Sequence, residues 1–296
     1  MKKETLYLIS HGEYTSEIST MGAALTSLSF AGSNLIEKRT HPRYFSGEIL
    51  APWPNRIEDG KYSFRDLGYV LPINEVTRNT ALHGLVFDKP WQVISQEQDQ
   101  ITLGITIDDH EIYPGILELE IHYKLEDLGL LSTLTATNCG DSAIPYGAST
   151  HPYISVPGLE SVNDFMLQLG ASHVLLTDDE RYLPTDLVDV VANGFDFRSG
   201  RIIGEQFINH AFLQDPDLPR EILVTSQSGK GVLISFSENA KWIQIHTADR
   251  DGGEDSRRVL AVEPMTCPPD AFNSGIDLIE LLPGESHELS WRIKVI

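Results

Sequence analysis

Cysteine is nearly absent from this chain, with Cys139 and Cys267 the only two in 296 residues. Two thiols cannot staple a disulfide scaffold, and they read instead as free thiols of a cytoplasmic protein. Positive charge is scarce as well: Lys and Arg total 22 against 43 Asp and Glu, for a net charge of −21 and a pI near 4.7. So acidic a surface repels phosphate backbones and anionic lipid, which excludes nucleic acid and membrane surfaces as expected partners. A neutral small molecule is indifferent to that field. An anionic one needs a local pocket of Arg or Lys, and the basic residues are few and scattered along the sequence. No apolar run approaches the ~20 residues of a membrane span, and the apolar part of "MKKETLYLIS" is too short and interrupted for a signal peptide. Helical periodicity is nearly absent, and no linker, repeat or low-complexity tract divides the chain.

What is present in quantity is alternation. In "ITLGITID" (101–108), Ile101, Leu103, Ile105 and Ile107 share one face. In "LELEIHYKL" (117–125), Leu117, Leu119, Ile121, Tyr123 and Leu125 oppose Glu118, Glu120, His122 and Lys124. The C-terminal "ELSWRIKV" turns Leu289, Trp291, Ile293 and Val295 inward. A period of two predicts half-buried antiparallel strands. Further strands are expected over 165–177, 221–227, 231–237 and 241–247. The 23 glycines and 16 prolines punctuate short segments, in the manner of an all-β sandwich. The expectation is one large antiparallel β-sandwich over residues 1–296, with a broad cleft on one sheet face.

Polar residues gather in loop-like segments beside aromatics and prolines that can hold them still: "APWPNRIEDGKYSF" (51–64), "NTALHGLVFDKPWQV" (79–93), "YGASTHPYISV" (146–156) and "LAVEPMTCPPDAFN" (260–273). Each carries one strong functional group, respectively Arg56, His83, His151 and Glu263. Glu263 interrupts an apolar strand where it meets Pro264, a placement that fixes a carboxylate on a rigid element.

These segments resemble the signatures of the aldose 1-epimerase (mutarotase) family. Asn55–Ile57 with Gly60, Leu82–Gly84 with Trp91, His151–Tyr153 and Glu263–Asn273 occur in that family's order, and "LLPGES" (281–286) resembles its last turn. The resemblance implies a galactose mutarotase-like supersandwich that interconverts the α and β anomers of an aldohexose or modified aldohexose, with no metal and no other cofactor. It implies that Glu263 is the base toward the C1 hydroxyl and His151 the acid toward the ring oxygen. His83 would join them, with Arg56 holding the sugar. The chemistry suits the residue types, because opening a cyclic hemiacetal needs one group to take a proton while another gives one.

One position departs from the family pattern. "INHAFLQD" (208–215) carries Asn209 where an Asp usually binds sugar hydroxyls, so an acceptor is kept and a charge is lost. His246 in "WIQIHTAD" shares a strand face with Trp242 and Gln244, and is a further candidate for the sugar cleft. Arg78 and Lys89 flank His83 in sequence and read as solvated charges. "ADRDGGEDSRR" (248–258) reads as an exposed loop. Competing readings are a metal centre using His83, His151, His246 and Glu263, a hexose-phosphate 1-epimerase, and a non-catalytic carbohydrate-binding protein. The first lacks His-x-His spacing and the second needs an arginine cluster. The oligomeric state leaves no trace in the sequence.

Overall fold

A computed structural model describes residues 4–38, 44–250 and 256–296. Two large antiparallel sheets dominate it. The nine-stranded sheet runs, in spatial order, through Gln92–Gln96, Gln100–Asp108, Ile116–Glu126, Gly129–Asn138, Ser286–Val295, Gly231–Phe236, Glu221–Thr225, Met166–Leu169 and Arg201–Ile202. The eight-stranded sheet runs through Pro184–Asp189, Ala171–Thr177, Asn209–Gln214, Trp242–His246, Leu260–Met265, Ser149–Thr150 and Ile49–Leu50, with Tyr153–Ile154 also paired to Leu260–Met265. Their inner faces meet in one apolar core. Leu117, Leu119, Ile121, Leu289 and Ile293 from the first sheet and Phe212, Ile243, Ile245 and Val262 from the second are all fully buried. The architecture is the expected large antiparallel β-sandwich, and the alternation of apolar residues is what closes it.

The strand expected over 165–177 is two strands. Met166–Leu169 belongs to the nine-stranded sheet and Ala171–Thr177 to the eight-stranded one. The apolar pattern continues across both, but Gly170 lets the chain turn the corner between sheets, as a glycine in a strand pattern often does. Helix is confined among the described residues to Ala271–Ser274 and short 3-10 turns. Both thiols are free, Cys139 exposed and Cys267 buried. No helix among the described residues is long and apolar enough to cross a membrane.

Candidate active site

Register in the eight-stranded sheet builds the floor of a cleft. Asn209 pairs with His246 and His246 with Ala261. Ala211 pairs with Gln244 and Gln244 with Glu263. Leu213 pairs with Trp242 and Trp242 with Met265. Strand side chains two apart share a face, so these nine residues form a grid on the face turned away from the Ile243, Ile245 and Val262 core. The row with Trp242 is apolar: its ring packs with Leu175, Ala211 and Met265, and its indole N–H donates to Asp277 at 2.8 Å. Trp242 therefore shares the face with His246, as expected, but stands outside the cleft. The polar rows line an open cleft of about 760 Å³ with Glu263, Gln244, His246 and Asn209 at its base.

His151 reaches this floor from the segment after Ser149–Thr150. Its Nε2 lies 3.3 Å from Glu263 Oε1, and the two side chains are only 6% and 2% exposed. Burial penalises charge on both. It holds the Glu263 carboxyl well above its ordinary value and pulls the His151 imidazole down to about 3, with the nearby His246 adding to the latter. Burial therefore favours the form of the free pair that carries one proton and no net charge. Phe45, His83 and Tyr153 wall the imidazole, with ring centroids 6.3, 5.4 and 4.9 Å away.

His83 is placed by backbone geometry. The strand Thr80–Leu82 ends where His83 turns left-handed at φ 66°, opposite Asn55 at φ 57°. Each non-glycine residue held there stores about 1 kcal/mol or more, and the two restrain each other. His83 N–H donates to the Asn55 carbonyl at 2.9 Å, and Asn55 N–H donates to His83 Nδ1 at 3.2 Å. The second bond assigns the proton to Nε2. Burial, with His151 and Arg56 nearby, keeps the ring neutral, far below its ordinary value. Gly84 follows at φ 79°, where a Cβ would sit 2.0 Å from the Ala51 carbonyl oxygen, so only glycine lets the loop close on its neighbour.

Arg56 is clamped from behind. Its Nε and Nη2 donate to the two Glu75 carboxylate oxygens at 2.7 and 2.9 Å, and Nη1 reaches Asn55 Oδ1 at 3.3 Å. Glu75 also accepts from Thr80 Oγ1 at 2.7 Å and Arg78 Nη1 at 3.0 Å. Burial alone would raise the Glu75 carboxyl, but the hydrogen bonds and charge of Arg56 outweigh it and hold it below the ordinary value. Tyr182 lies under both guanidiniums, 4.3 Å from Arg78 and 5.4 Å from Arg56. Arg78 is thus a cleft residue rather than the solvated charge expected, whereas Lys89 is half-exposed beside Asp88. Asn209 Oδ1 accepts from Gln244 Nε2 at 2.9 Å.

All the sequence-derived candidates, Glu263, His151, His83, Arg56, Asn209 and His246, line this one cleft. Sequence reasoning missed Glu75, Tyr182 and Arg250. Nothing in local sequence marks Glu75 or Tyr182. Arg250 lies in the segment 248–258 read as an exposed loop, yet Ala248 is fully buried and Arg250 lines the cleft; 251–255 lie outside the described residues. Among the described residues no three His, Cys, Asp or Glu side chains meet as a metal-ligating group, so the suggested His83, His151, His246 and Glu263 set does not form one. Glu263 Oε2, Gln244 Oε1 and His246 Nδ1 are buried with no hydrogen-bond partner among the described residues. Unpartnered buried groups converging on a cleft mark a functional site.

The family model for aldose 1-epimerase matches residues 5–294. This chain belongs to the aldose 1-epimerase family. The uncharacterized protein YihR of Escherichia coli K12 is 35% identical over 289 residues, covering 96% of this chain and 91% of its own length. An aldose 1-epimerase of the same organism is 29% identical over 185 residues, 57% of this chain and 53% of that enzyme. The crystal structure of a putative aldose 1-epimerase from E. coli K12 superposes with a TM-score of 0.84 at 23% identity, covering 99% of this chain and all of the other. A galactose mutarotase-like protein from Clostridium acetobutylicum gives 0.86 at 18% identity, with 99% and 98% covered. At such identities these likenesses establish the fold. An aldose 1-epimerase family member thus carries, on one face of its eight-stranded sheet, a cleft of about 760 Å³ with a buried His151–Glu263 contact at its floor.

Proposed function

We propose that this protein is a mutarotase that interconverts the α and β anomers of an aldohexose or modified aldohexose. The observation that carries this reading is the buried His151–Glu263 contact of 3.3 Å at the floor of the cleft. A binding protein has no use for an acid and a base sharing one proton. The pair's single proton can sit on either partner: burial favours the uncharged form, and transfer across the contact yields Glu263 carboxylate and His151 imidazolium. In that form Glu263 takes the C1 hydroxyl proton while His151 gives its proton to the ring oxygen. The bond between C1 and the ring oxygen breaks, leaving an open-chain aldehyde. Rotation about the C1–C2 bond exposes the other carbonyl face, and the same transfers run backward close the opposite anomer. Protons and electrons balance without a cofactor. His83, neutral and protonated on Nε2, donates to a sugar oxygen; Arg56, held by Glu75, supplies a fixed positive charge to the same region. The single-domain organisation and the cytoplasmic location belong to this reading, supported by the shared core and the free thiols.

Saturation-transfer NMR or polarimetry on glucose, galactose and acidic or sulfonated hexoses tests it directly. Anomer exchange faster than the buffer rate on at least one sugar is expected; exchange at the buffer rate on all of them would refute it.

The pH dependence follows from the sign of the shifts. Lowering pH adds a second proton to the pair only below the depressed His151 value, and raising pH removes the single proton only above the raised Glu263 value. Between those limits activity is level. The kcat/KM profile should therefore show no fall as pH drops through 6.5, the ordinary imidazole value. A fall there on acidification would show His151 titrating as a solvated imidazole.

Asn209→Asp puts a charged acceptor beside Gln244 and His246. Bonds to a charged group contribute roughly 1.5–3 kcal/mol against about 1 for a neutral one. KM for a neutral aldohexose with a hydroxyl at that point should tighten several-fold, and that for an anionic sugar should weaken. If steady-state kinetics on both kinds of sugar are unchanged, Asn209 does not touch the substrate.

A further inference from the structure

Scattered in sequence, three arginines converge on the cleft: Arg56, Arg78 and Arg250. Their carboxylate partners are shared, engaged by other groups, or distant, as Glu37 is from Arg250 at 4.0 Å. Glu75 is shared between Arg56 and Arg78, and Asp249 is engaged by Arg257 Nη1 at 2.7 Å and by the Thr247 hydroxyl. Burial disfavours the charged form of Glu263. A chain of net charge −21 has thus gathered three guanidiniums at one concave site.

Arg250 is the guanidinium presented for use. It lies 3.9 Å above the Tyr44 ring and 5.2 Å from the Tyr153 ring. Attraction between the cation and the ring faces holds its plane in place. Its ion pair with Glu37 is long, at 4.0 Å, and the buried Nη2 makes no hydrogen bond among the described residues. Arg56, by contrast, spends its fork on Glu75.

The two arginines also stand at different ends of the acid–base pair. Arg250 lies against Tyr153, whose ring is 4.9 Å from that of His151, whereas Arg56 bonds Asn55, whose N–H donates to His83. The proposed mechanism, on which this inference rests, puts the C1 hydroxyl at Glu263 and the ring oxygen at His151. A pyranose ring oxygen joins C1 to C5, so the path past His151 toward Arg250 leads to C5 and its exocyclic C6.

We propose that Arg250, held between Tyr44 and Tyr153, binds an anionic group on C6, so that the substrate is an aldohexose bearing a carboxylate, sulfonate or phosphate there. A guanidinium fork suits all three, since each offers paired oxygens for charge-assisted hydrogen bonds. The neutral Asn209 agrees with this, because an additional carboxylate in the cleft would oppose an anionic sugar.

The test is the ratio of kcat/KM for a C6-anionic sugar to that for glucose, measured by saturation-transfer NMR with glucuronate, glucose 6-phosphate and the 6-sulfonate of 6-deoxyglucose. At least one ratio in the wild type should reach about ten- to hundredfold, and the preferred anion identifies the group. Arg250→Gln should bring that ratio toward one, with Arg250→Lys between. Any loss of folded protein cancels from a ratio, so a poorly folding variant still reports. Ratios near one or below for every anion, with glucose turned over, overturn the C6 assignment and leave the mutarotase reading standing. A high ratio unchanged in Arg250→Gln also overturns it. Exchange at the buffer rate for every sugar overturns both.

Discussion

Replacing Glu263 by Gln is expected to lower kcat for anomer exchange by about 10²–10⁴, the usual cost of losing one acid–base partner. The side chain keeps its shape, and its amide can still meet His151 Nε2 across the 3.3 Å contact. What disappears is the carboxyl's ability to take and return a proton. Because burial disfavours charge on Glu263 in the free protein, Gln resembles the favoured uncharged form and introduces no new buried charge. The fold and the sugar affinity should therefore change little, which separates this variant from a structural lesion. Saturation-transfer NMR gives the rate, and a thermal melt with a sugar titration gives the controls. Near-normal turnover would place the base on another residue.

Glu75→Ala should show the largest effect on stability. The Arg56 and Glu75 side chains are only 10% and 14% exposed, and the carboxylate collects Arg56, Arg78 and the Thr80 hydroxyl. Removing it strands a buried guanidinium, and breaking a buried pair from one side costs about 3–5 kcal/mol. For a chain of this size the melting temperature should fall by roughly 5–15 °C. Glu75→Gln retains an acceptor and should fall less. Calorimetry decides the matter; an unchanged melt for Glu75→Ala would mean that water solvates Arg56 where the structure shows protein. Catalysis should suffer as well, since Arg56 loses the clamp that aims it into the cleft.

Much of the site is legible in sequence because its chemistry sits in short contiguous motifs. His83 is bracketed by Leu82 and Gly84, and the glycine is dictated by a backbone approach to Ala51 that no Cβ permits. Glu263 interrupts a run of buried strand residues, Leu260–Met265, in which a lone carboxylate stands out. Arg250 has no such frame. Its neighbours in the chain are charged and glycine-rich, so local pattern points to solvent, while its cleft position comes from Tyr44 and Tyr153, far away in sequence. Glu75 is likewise an ordinary loop acid until Arg56, Arg78 and Thr80 close around it.

Sequence by itself determined the strand-dominated class, the inward faces of the long strands, and the identity of the acid–base candidates. Periodicity and motif are properties of neighbouring residues, and those features need nothing else. Only the tertiary structure decided that Met166–Leu169 and Ala171–Thr177 part company at Gly170, and that Trp242 packs beside the cleft rather than in it. It alone brought Arg56, Arg78 and Arg250 to one cavity in a strongly acidic protein. The physical reason is range: strand alternation is set over two residues, whereas the charge balance of a cleft is a sum over side chains that meet only when the sheets have stacked and the loops between them have closed.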